Sequence, residues 1–325
     1  MTYSIQDVIN KIPQDSLNIF KNIFPPAIYN QILNYFRTKR KTCIRVNYLK
    51  TDKSYVMKIL QKESFKFRNS EILKEAFIFS ENIDSTLLKH HLTKEGYIYL
   101  QNPSSMLSSI ILDPQENEKI LDIAASPGSK TTHIASLMNN KGLIDAIEPD
   151  YIRMQRLQHN ANLLGANIIN FYQTKGENFL LQEENLYDRV LVDAPCSGEG
   201  RFNLYDKNSY SCWKKKYIKK FVNLQTKLLL NGIRLCKKNG IIVYSTCTLN
   251  IYENEMIINN ILKSKEVIIQ EIEPKLKEIE CSIKPFLSFE NNSFDESISK
   301  CLRLVPNDIY EGFFICKLKK RGSLF

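Results

Sequence analysis

The chain has 325 residues, 43% hydrophobic and 25% charged, with a net charge of +10 and a pI near 9.0. That length can bury a full core with room for about two domains, and the ordinary composition excludes a disordered or collagen-like chain. No apolar run approaches the ~20 residues of a membrane span and the N-terminus lacks a signal-peptide pattern, so a soluble, cytoplasmic protein with no membrane attachment is expected, and its cationic balance favours a polyanionic partner.

Residues 1–36 read as helical, because Ile5, Val8, Ile9 and Ile12 recur at helical spacing, as do Ile28, Ile32, Leu33 and Phe36 after Pro25-Pro26. A basic run, Arg37-Thr38-Lys39-Arg40-Lys41, follows. Strands are predicted over 43–47, 76–80 and 97–100 and a short helix over 54–62, a mixed α+β pattern that defines a first domain of residues 1–100. Gln101-Asn102-Pro103-Ser104-Ser105-Met106 reads as a linker running into a short helix, which opens a second domain, 101–325. From residue 119 the pattern alternates regularly. Strands are predicted over 119–123, 142–147, 168–172, 189–193, 241–245, 267–270 and 313–318, with helices over 131–138, 151–164 and 221–236. Such alternation implies an α/β domain with a mainly parallel sheet, one of the last two strands being an antiparallel edge. Between the fourth strand and the last helix, Lys214, Lys215, Lys216, Lys219 and Lys220 surround Trp213 and Tyr217. Basic residues mixed with aromatics suit phosphates and stacked bases, although a solvated helix face has the same composition.

The eight cysteines show no C-x-x-C pairing, and the four histidines (His90, His91, His133, His159) stand apart from acids, so free thiols and no metal site are expected. Cys236 and Cys316 lie in apolar patterns and read as buried packing residues. Two others differ. Cys196 lies in Asp193-Ala194-Pro195-Cys196-Ser197-Gly198-Glu199-Gly200 and Cys247 in Tyr244-Ser245-Thr246-Cys247-Thr248-Leu249-Asn250. Each ends a β-branched strand at the edge where open α/β sheets bind ligands. On these residues alone Cys196, beside the Asp193 carboxylate, is the stronger suspect for thiol chemistry.

The segment Leu121-Asp122-Ile123-Ala124-Ala125-Ser126-Pro127-Gly128-Ser129-Lys130-Thr131 is a strand, a small-residue turn and a helix start. Small side chains admit a ligand to the backbone, and the helix offers free N–H groups. The turn is neither a P-loop nor a GxGxxG fingerprint, which disfavours a triphosphate or a dinucleotide. Glu148, ending the next strand, is placed to accept from ribose hydroxyls. Together they support an adenosine ligand without a pyrophosphate, and S-adenosylmethionine fits.

These three motifs resemble the Sun/Fmu (RsmB/NOP) family of RNA cytosine-C5 methyltransferases, in order and spacing most like its 16S ribosomal RNA branch. The resemblance runs from Arg45-Val46-Asn47, through Gly96-Tyr97-Ile98-Tyr99-Leu100-Gln101, to Glu311-Gly312-Phe313-Phe314. It implies a Rossmann-like, class I S-adenosylmethionine-dependent methyltransferase fold with a mainly parallel seven-stranded sheet, and an RRM-like RNA-binding domain before it. It further implies that Ala124, Ala125, Ser126, Pro127, Gly128, Ser129, Lys130, Glu148, Arg153 and Asp193 bind S-adenosylmethionine. Cys247 would be the nucleophile, Cys196 the thiol that assists product release, and Asp193 the group facing the cytosine, with a carboxyl that must be protonated as charge builds. The implied partner is RNA, ribosomal before transfer RNA, met by a monomer. Two departures stand out. Lys175 occupies the place of the family's adenine-site Asp and cannot accept an amino proton, and the chain stops soon after Phe313, without the C-terminal RNA-binding region of the ribosomal branch. They motivate a second reading, a catalytically weak RNA-binding or ribosome-assembly factor. DNA cytosine methylation is disfavoured because its nucleophile stands in the Pro-Cys motif.

Overall fold

The computed structural model describes residues 2–179 and 185–322. The N-terminal periodicity folds into three helices: α1 (Ile5–Lys11), closed by a Ser4/Asp7 capping box, α2 (Gln14–Ile23) and α3 (Pro26–Phe36). Pro13, Pro25 and Pro26 divide them, since proline suits a helix start and breaks a helix interior. Grouped with the first domain by sequence, these helices bury their apolar faces in the core of the second sheet, where Phe36 meets Phe202 at 5.6 Å and Phe24 meets Phe286 at 5.6 Å.

Next come β1 (Cys43–Val46), α4 (Lys53–Lys62), β2 (Phe67–Asn69), β3 (Ala76–Phe79), the short α5 (Asp84–Leu87) and α6 (His91–Lys94), and β4 (Ile98–Leu100). They form an antiparallel sheet in the order β2-β3-β1-β4, a βαββαβ arrangement. Its own core contains Ile44, Val46, Val56, Leu60, Phe77 and Phe79.

Asn102 caps α7 (Pro103–Leu112), which leads into β5 (Lys119–Asp122), α8 (Ser129–Leu137), β6 (Leu143–Ile147), α9 (Tyr151–Leu164), β7 (Ile169–Tyr172) and β8 (Tyr187–Asp193). After α10 (Ile218–Leu235) and β9 (Cys236–Thr246) follow α11 (Glu255–Leu262), β10 (Val267–Ile269), α12 (Pro274–Lys277), β11 (Ser282–Ile283), β12 (Ser288–Phe289), β13 (Asn292–Ser293), β14 (Leu302–Leu304) and β15 (Phe313–Lys320). The large sheet runs β11-β14-β15-β9-β8-β5-β6-β7, with β10 also paired to β15. Strands β9, β8, β5, β6 and β7 are parallel; β15, β14, β11 and β10 are antiparallel.

The predicted parallel core is present, but the sheet has nine strands rather than seven. The short β11 and β14 extend it beyond β15, and β10, paired antiparallel to β15 alone among the described residues, is the edge strand expected of one of the last two predicted strands. The two or three residues of β11 and β14 are too short for period-two alternation to register. Cys236 opens β9 rather than ending a helix, and it is buried as expected, as is Cys316. From β5 the chain crosses to β6 on one side and β8 on the other, and such a reversal opens a crevice at the carboxyl ends of the strands. Among the described residues, no helix is long and apolar enough to cross a membrane.

Candidate active site

The two thiol loops leave neighbouring parallel strands in register, with Asp193 of β8 opposite Ser245 of β9. Loops departing side by side bring Cys196 and Cys247 together, and their sulfurs lie 3.3 Å apart as free thiols. Backbone hydrogen bonds fasten the loops: Gly200 N–H donates to the Cys247 carbonyl (3.0 Å), and Gly312 N–H donates to the Gly200 carbonyl (2.9 Å). The Cys196 thiol is held well above its usual range, first by its contact with Cys247, then by burial and by the nearby Glu253 and Glu199 carboxyl groups.

Asp193 sits directly below. Lys130 Nζ lies 2.7 Å from its Oδ2 and Ser245 Oγ donates to its Oδ1 (2.7 Å), so both oxygens serve as acceptors. The Lys130 pKa, lowered by burial, is nevertheless raised overall by the Asp193 charge. Lys130 also donates to Ser105 Oγ (2.9 Å). One turn away, burial pushes the Asp122 carboxyl up to about 7; its Oδ2 accepts from Thr131 (2.7 Å), and its Oδ1 has no hydrogen-bond partner among the described residues.

A cavity of about 870 Å³ opens between the two sheets. Ala124, Ala125, Ser126, Pro127, Ser129 and Lys130 line it together with Asp193, Cys196 and Cys247. Gly128 does not reach it. Its φ of +99° turns the chain into α8, and a Cβ there would meet Leu157 Cδ1 at 2.9 Å, so glycine is required for packing. Arg153 lines the cavity, donates to the Ser126 carbonyl (3.1 Å) and lies 3.3 Å from Glu148, which is buried beneath it. Lys175 is exposed at the start of the turn after β7 and lies outside the lining.

Trp213, Lys214 and Tyr217 line the same cavity, as the aromatic and basic composition of that segment suggested. Lys39, Arg40 and Lys41 line an adjoining cavity of about 560 Å³. Arg40 is committed there to the backbone carbonyls of Gly200, Arg201 and Phe202. His133 is buried on α8, 2.9 Å from Glu75 of the first domain. Glu63, His90 and His91 come together at the surface, but His90 already uses both ring nitrogens, on Glu63 (2.7 Å) and the Leu92 N–H (3.2 Å).

Sequence reasoning assigned no role to Glu199 and Glu253, which lie fully buried behind the thiols. Glu199 belongs to the Pro-Cys motif, but nothing in Asn250-Ile251-Tyr252-Glu253 marks Glu253 as its neighbour. Only the pairing of β8 with β9 joins them.

The profile of the 16S rRNA methyltransferase RsmB/F family matches residues 109–319. The chain is 32% identical to the tRNA (cytosine(49)-C(5))-methyltransferase of Pyrococcus abyssi, over 88% of this chain and 90% of that protein. It is also 32% identical to the ribosomal RNA small subunit methyltransferase F of Serratia proteamaculans, over 86% of this chain but only 57% of that longer protein. A methyltransferase homolog from Pyrococcus horikoshii superposes with a TM-score of 0.83 at 28% identity, covering 98% of this chain and all of that one.

Proposed function

The chain belongs to the RsmB/F family of 16S rRNA methyltransferases, and from that membership we propose that it transfers the methyl group of S-adenosylmethionine to C5 of cytosine in RNA. The observation that carries this reading is the 3.3 Å pair of thiols beside Asp193, in one cavity with the small-residue turn. The cavity fits S-adenosylmethionine: the 124–130 turn leaves backbone accessible, Arg153 lines it with Glu148 buried against the guanidinium and outside the lining, and Asp122 carries a buried oxygen with no partner among the described residues. Bound there, S-adenosylmethionine supplies an electrophilic sulfonium methyl group.

Cytosine C5 is a poor nucleophile while the ring is conjugated. Cys247, as its thiolate once the thiol proton has passed to solvent, adds through Sγ to C6, forming an S–C6 bond and moving the ring π electrons toward N3 and C5. Asp193 accepts from the exocyclic amino group, and Lys130 Nζ, 2.7 Å from Asp193, holds the nearest proton for N3. C5, now enamine-like, would take the sulfonium methyl group, leaving the thioether S-adenosylhomocysteine. Loss of the C5 proton to a base returns the S–C6 pair to Cys247, where the protonated Cys196 hydrogen-bonds the departing thiolate. This divides the thiols, with Cys247 as nucleophile and Cys196 as release assistant.

Residues 1–100, with their βαββαβ sheet, act as the RNA-binding unit and 101–325 as the methyltransferase unit, in a cytoplasmic monomer. Ribosomal RNA is the first-choice substrate on the family description; the near-complete length match to the archaeal transfer RNA enzyme favours transfer RNA as the second. Radiolabel transfer from S-adenosylmethionine to RNA tests the activity. Cys247→Ala should abolish transfer, and its retention there would remove Cys247 as nucleophile. Cys196→Ala should accumulate a covalent protein–RNA adduct, whereas clean turnover would remove its release role. Binding of RNA without transfer by the unaltered chain would favour the assembly-factor reading. Bisulfite sequencing of RNA from cells with and without the gene identifies the target.

A further inference from the structure

The carboxyl groups behind the thiols form one hydrogen-bonded group. Ser197 Oγ lies 2.6 Å from Glu199 Oε2, 3.0 Å from Thr248 Oγ1 and in hydrogen-bond contact with Glu253 Oε1. Thr248 Oγ1 donates to Glu199 Oε2 and accepts the Asn250 N–H (3.1 Å). Glu253 Oε2 accepts from Ser197 N–H (3.0 Å) and Gln225 Nε2 (2.7 Å), and Glu199 Oε1 accepts the Trp213 indole N–H (2.9 Å). Neither carboxyl forms an ion pair with Lys or Arg among the described residues.

Counting protons decides the arrangement. A serine hydroxyl has one proton to give, yet Ser197 Oγ touches a carboxyl oxygen of each glutamate. Glu199 already accepts donors on both oxygens, Trp213 N–H on Oε1 and Thr248 on Oε2, so the extra proton that one of the two Ser197 contacts requires is on Glu253. Glu253 Oε2 already accepts two donors, so the proton belongs on Oε1. Electrostatics agrees, because two neighbouring buried carboxyl groups do not both ionise readily. Burial, with the Glu199 charge second, holds the Glu253 carboxyl up to about 8. The other titratable groups facing Glu253 are Cys196 on the Pro-Cys loop and Tyr244 on β9, whose hydroxyl donates to the Glu253 carbonyl (2.6 Å). From α10 the neutral Gln225 donates to it.

We propose that Glu253 as its neutral acid and Glu199 as its carboxylate share a proton chain through Ser197 that locks the Pro-Cys loop to the Thr-Cys loop, making both positioning residues for the Cys196–Cys247 pair. Ser197 follows Cys196 and Thr248 follows Cys247, so each end of the lock lies one residue from a thiol. The same carboxylate fixes Trp213 at the cavity wall. Loss of the Glu253 proton removes a donor from the lock and places a second negative charge beside Cys196. The inference rests on the proposed methyl transfer for its consequence in turnover, but the lock itself can be read without RNA.

Glu253→Gln keeps a donor toward Ser197 and an acceptor for Ser197 N–H and Gln225, with no charge at any pH; Glu253→Ala removes both. Single-turnover methyl transfer and iodoacetamide alkylation of Cys196 and Cys247 in the free protein, read by mass spectrometry, are followed from about pH 6 to about pH 10. Near neutral pH Glu253→Gln should stay within about threefold of the unaltered protein while Glu253→Ala loses about tenfold or more. Above about pH 8 the unaltered protein should show a falling transfer rate and a lag in alkylation that Glu253→Gln lacks. Superimposable pH profiles, or Glu253→Gln as impaired as Glu253→Ala at neutral pH, overturn the shared-proton lock. If Glu253→Ala does not fold, the comparison of Glu253→Gln with the unaltered protein decides alone. Retained transfer by Cys247→Ala would defeat the methyltransferase assignment of the thiols and leave the alkylation result to stand separately.

Discussion

Replacing Gly200 with alanine drives a wedge between three segments that meet at the thiol pair. A Cβ at Gly200 would stand 2.0 Å from the Gly312 carbonyl oxygen and 2.8 Å from the Cys247 carbonyl oxygen. Ordinary contact begins near 3.4 Å, so the strand entering Phe313 must retreat by about 1.4 Å (3.4 minus 2.0). Both obstacles are backbone, which cannot swing aside as a long side chain would. The retreat strains the hydrogen bonds from Gly200 N–H to Cys247 and from Gly312 N–H to Gly200. Overpacking of this kind costs about 1–3 kcal/mol, and two weakened backbone bonds add about 1 kcal/mol each. The larger effect is on catalysis. A misplacement of about 1 Å at reacting groups lowers a rate by about 10²-fold, and Cys247 is fastened directly to Gly200. Gly200→Ala should therefore bind S-adenosylmethionine with nearly normal affinity, because the added Cβ meets Gly312 and Cys247 rather than the 124–130 turn, yet transfer its methyl group about 10²-fold more slowly. Isothermal titration gives the first quantity and single-turnover radiolabel transfer the second. A folded Gly200→Ala protein with a rate within threefold of normal would refute the reasoning.

Arg303 and Glu255 form a fully buried pair, with Nε–Oε1 at 2.8 Å and Nη2–Oε2 at 2.7 Å, and the guanidinium lies against Phe24, Phe286 and Phe314. Arg303→Met leaves the carboxylate uncompensated and should cost about 3–5 kcal/mol in urea unfolding, with Glu255→Gln in the same chain restoring part of it; no change in the unfolding midpoint would contradict this. Burial lowers His133 from 6.5 to about 4, so it folds neutral. A depressed folded pKa means its stabilising effect is complete above pH 6.5 and is lost as pH falls toward 4, a difference of about 3 kcal/mol. His133→Gln should flatten this acid limb of the unfolding midpoint, and an unchanged pH slope would count against it. Lys175 lies outside the cavity lining, so Lys175→Asp should leave the S-adenosylmethionine dissociation constant within about twofold; a tightening of tenfold or more in isothermal titration would show that this position does meet the adenine.

Local pattern made much of this protein legible in advance. Runs such as Arg189-Val190-Leu191-Val192-Asp193 and Ile241-Ile242-Val243-Tyr244-Ser245 state their strand character through β-branched, apolar residues. The abrupt change to small polar residues marks the carboxyl end where a cavity forms. The three motifs and the family came from short contiguous stretches; the choice of Cys247 over Cys196 is what the resemblance implies, and residue chemistry without it favoured Cys196. Strands β2, β11 and β14 escaped notice because two or three residues carry no period, and β15 is interior because both β14 and β10 pair with it.

What the sequence by itself determined was the set of elements and the residue types at their ends, since both depend on neighbours within a few positions. Tertiary structure alone decided which ends meet. It laid β8 beside β9 and so brought two thiols to 3.3 Å, seated Lys130 on Asp193, and closed Glu253 against Ser197 and Glu199. It also turned α1–α3 onto the second sheet. Each is a long-range contact, fixed by strand order and the burial of apolar faces, and the raised pKa values of Lys130 and Glu253 follow from those neighbours and their burial rather than from the side chains themselves.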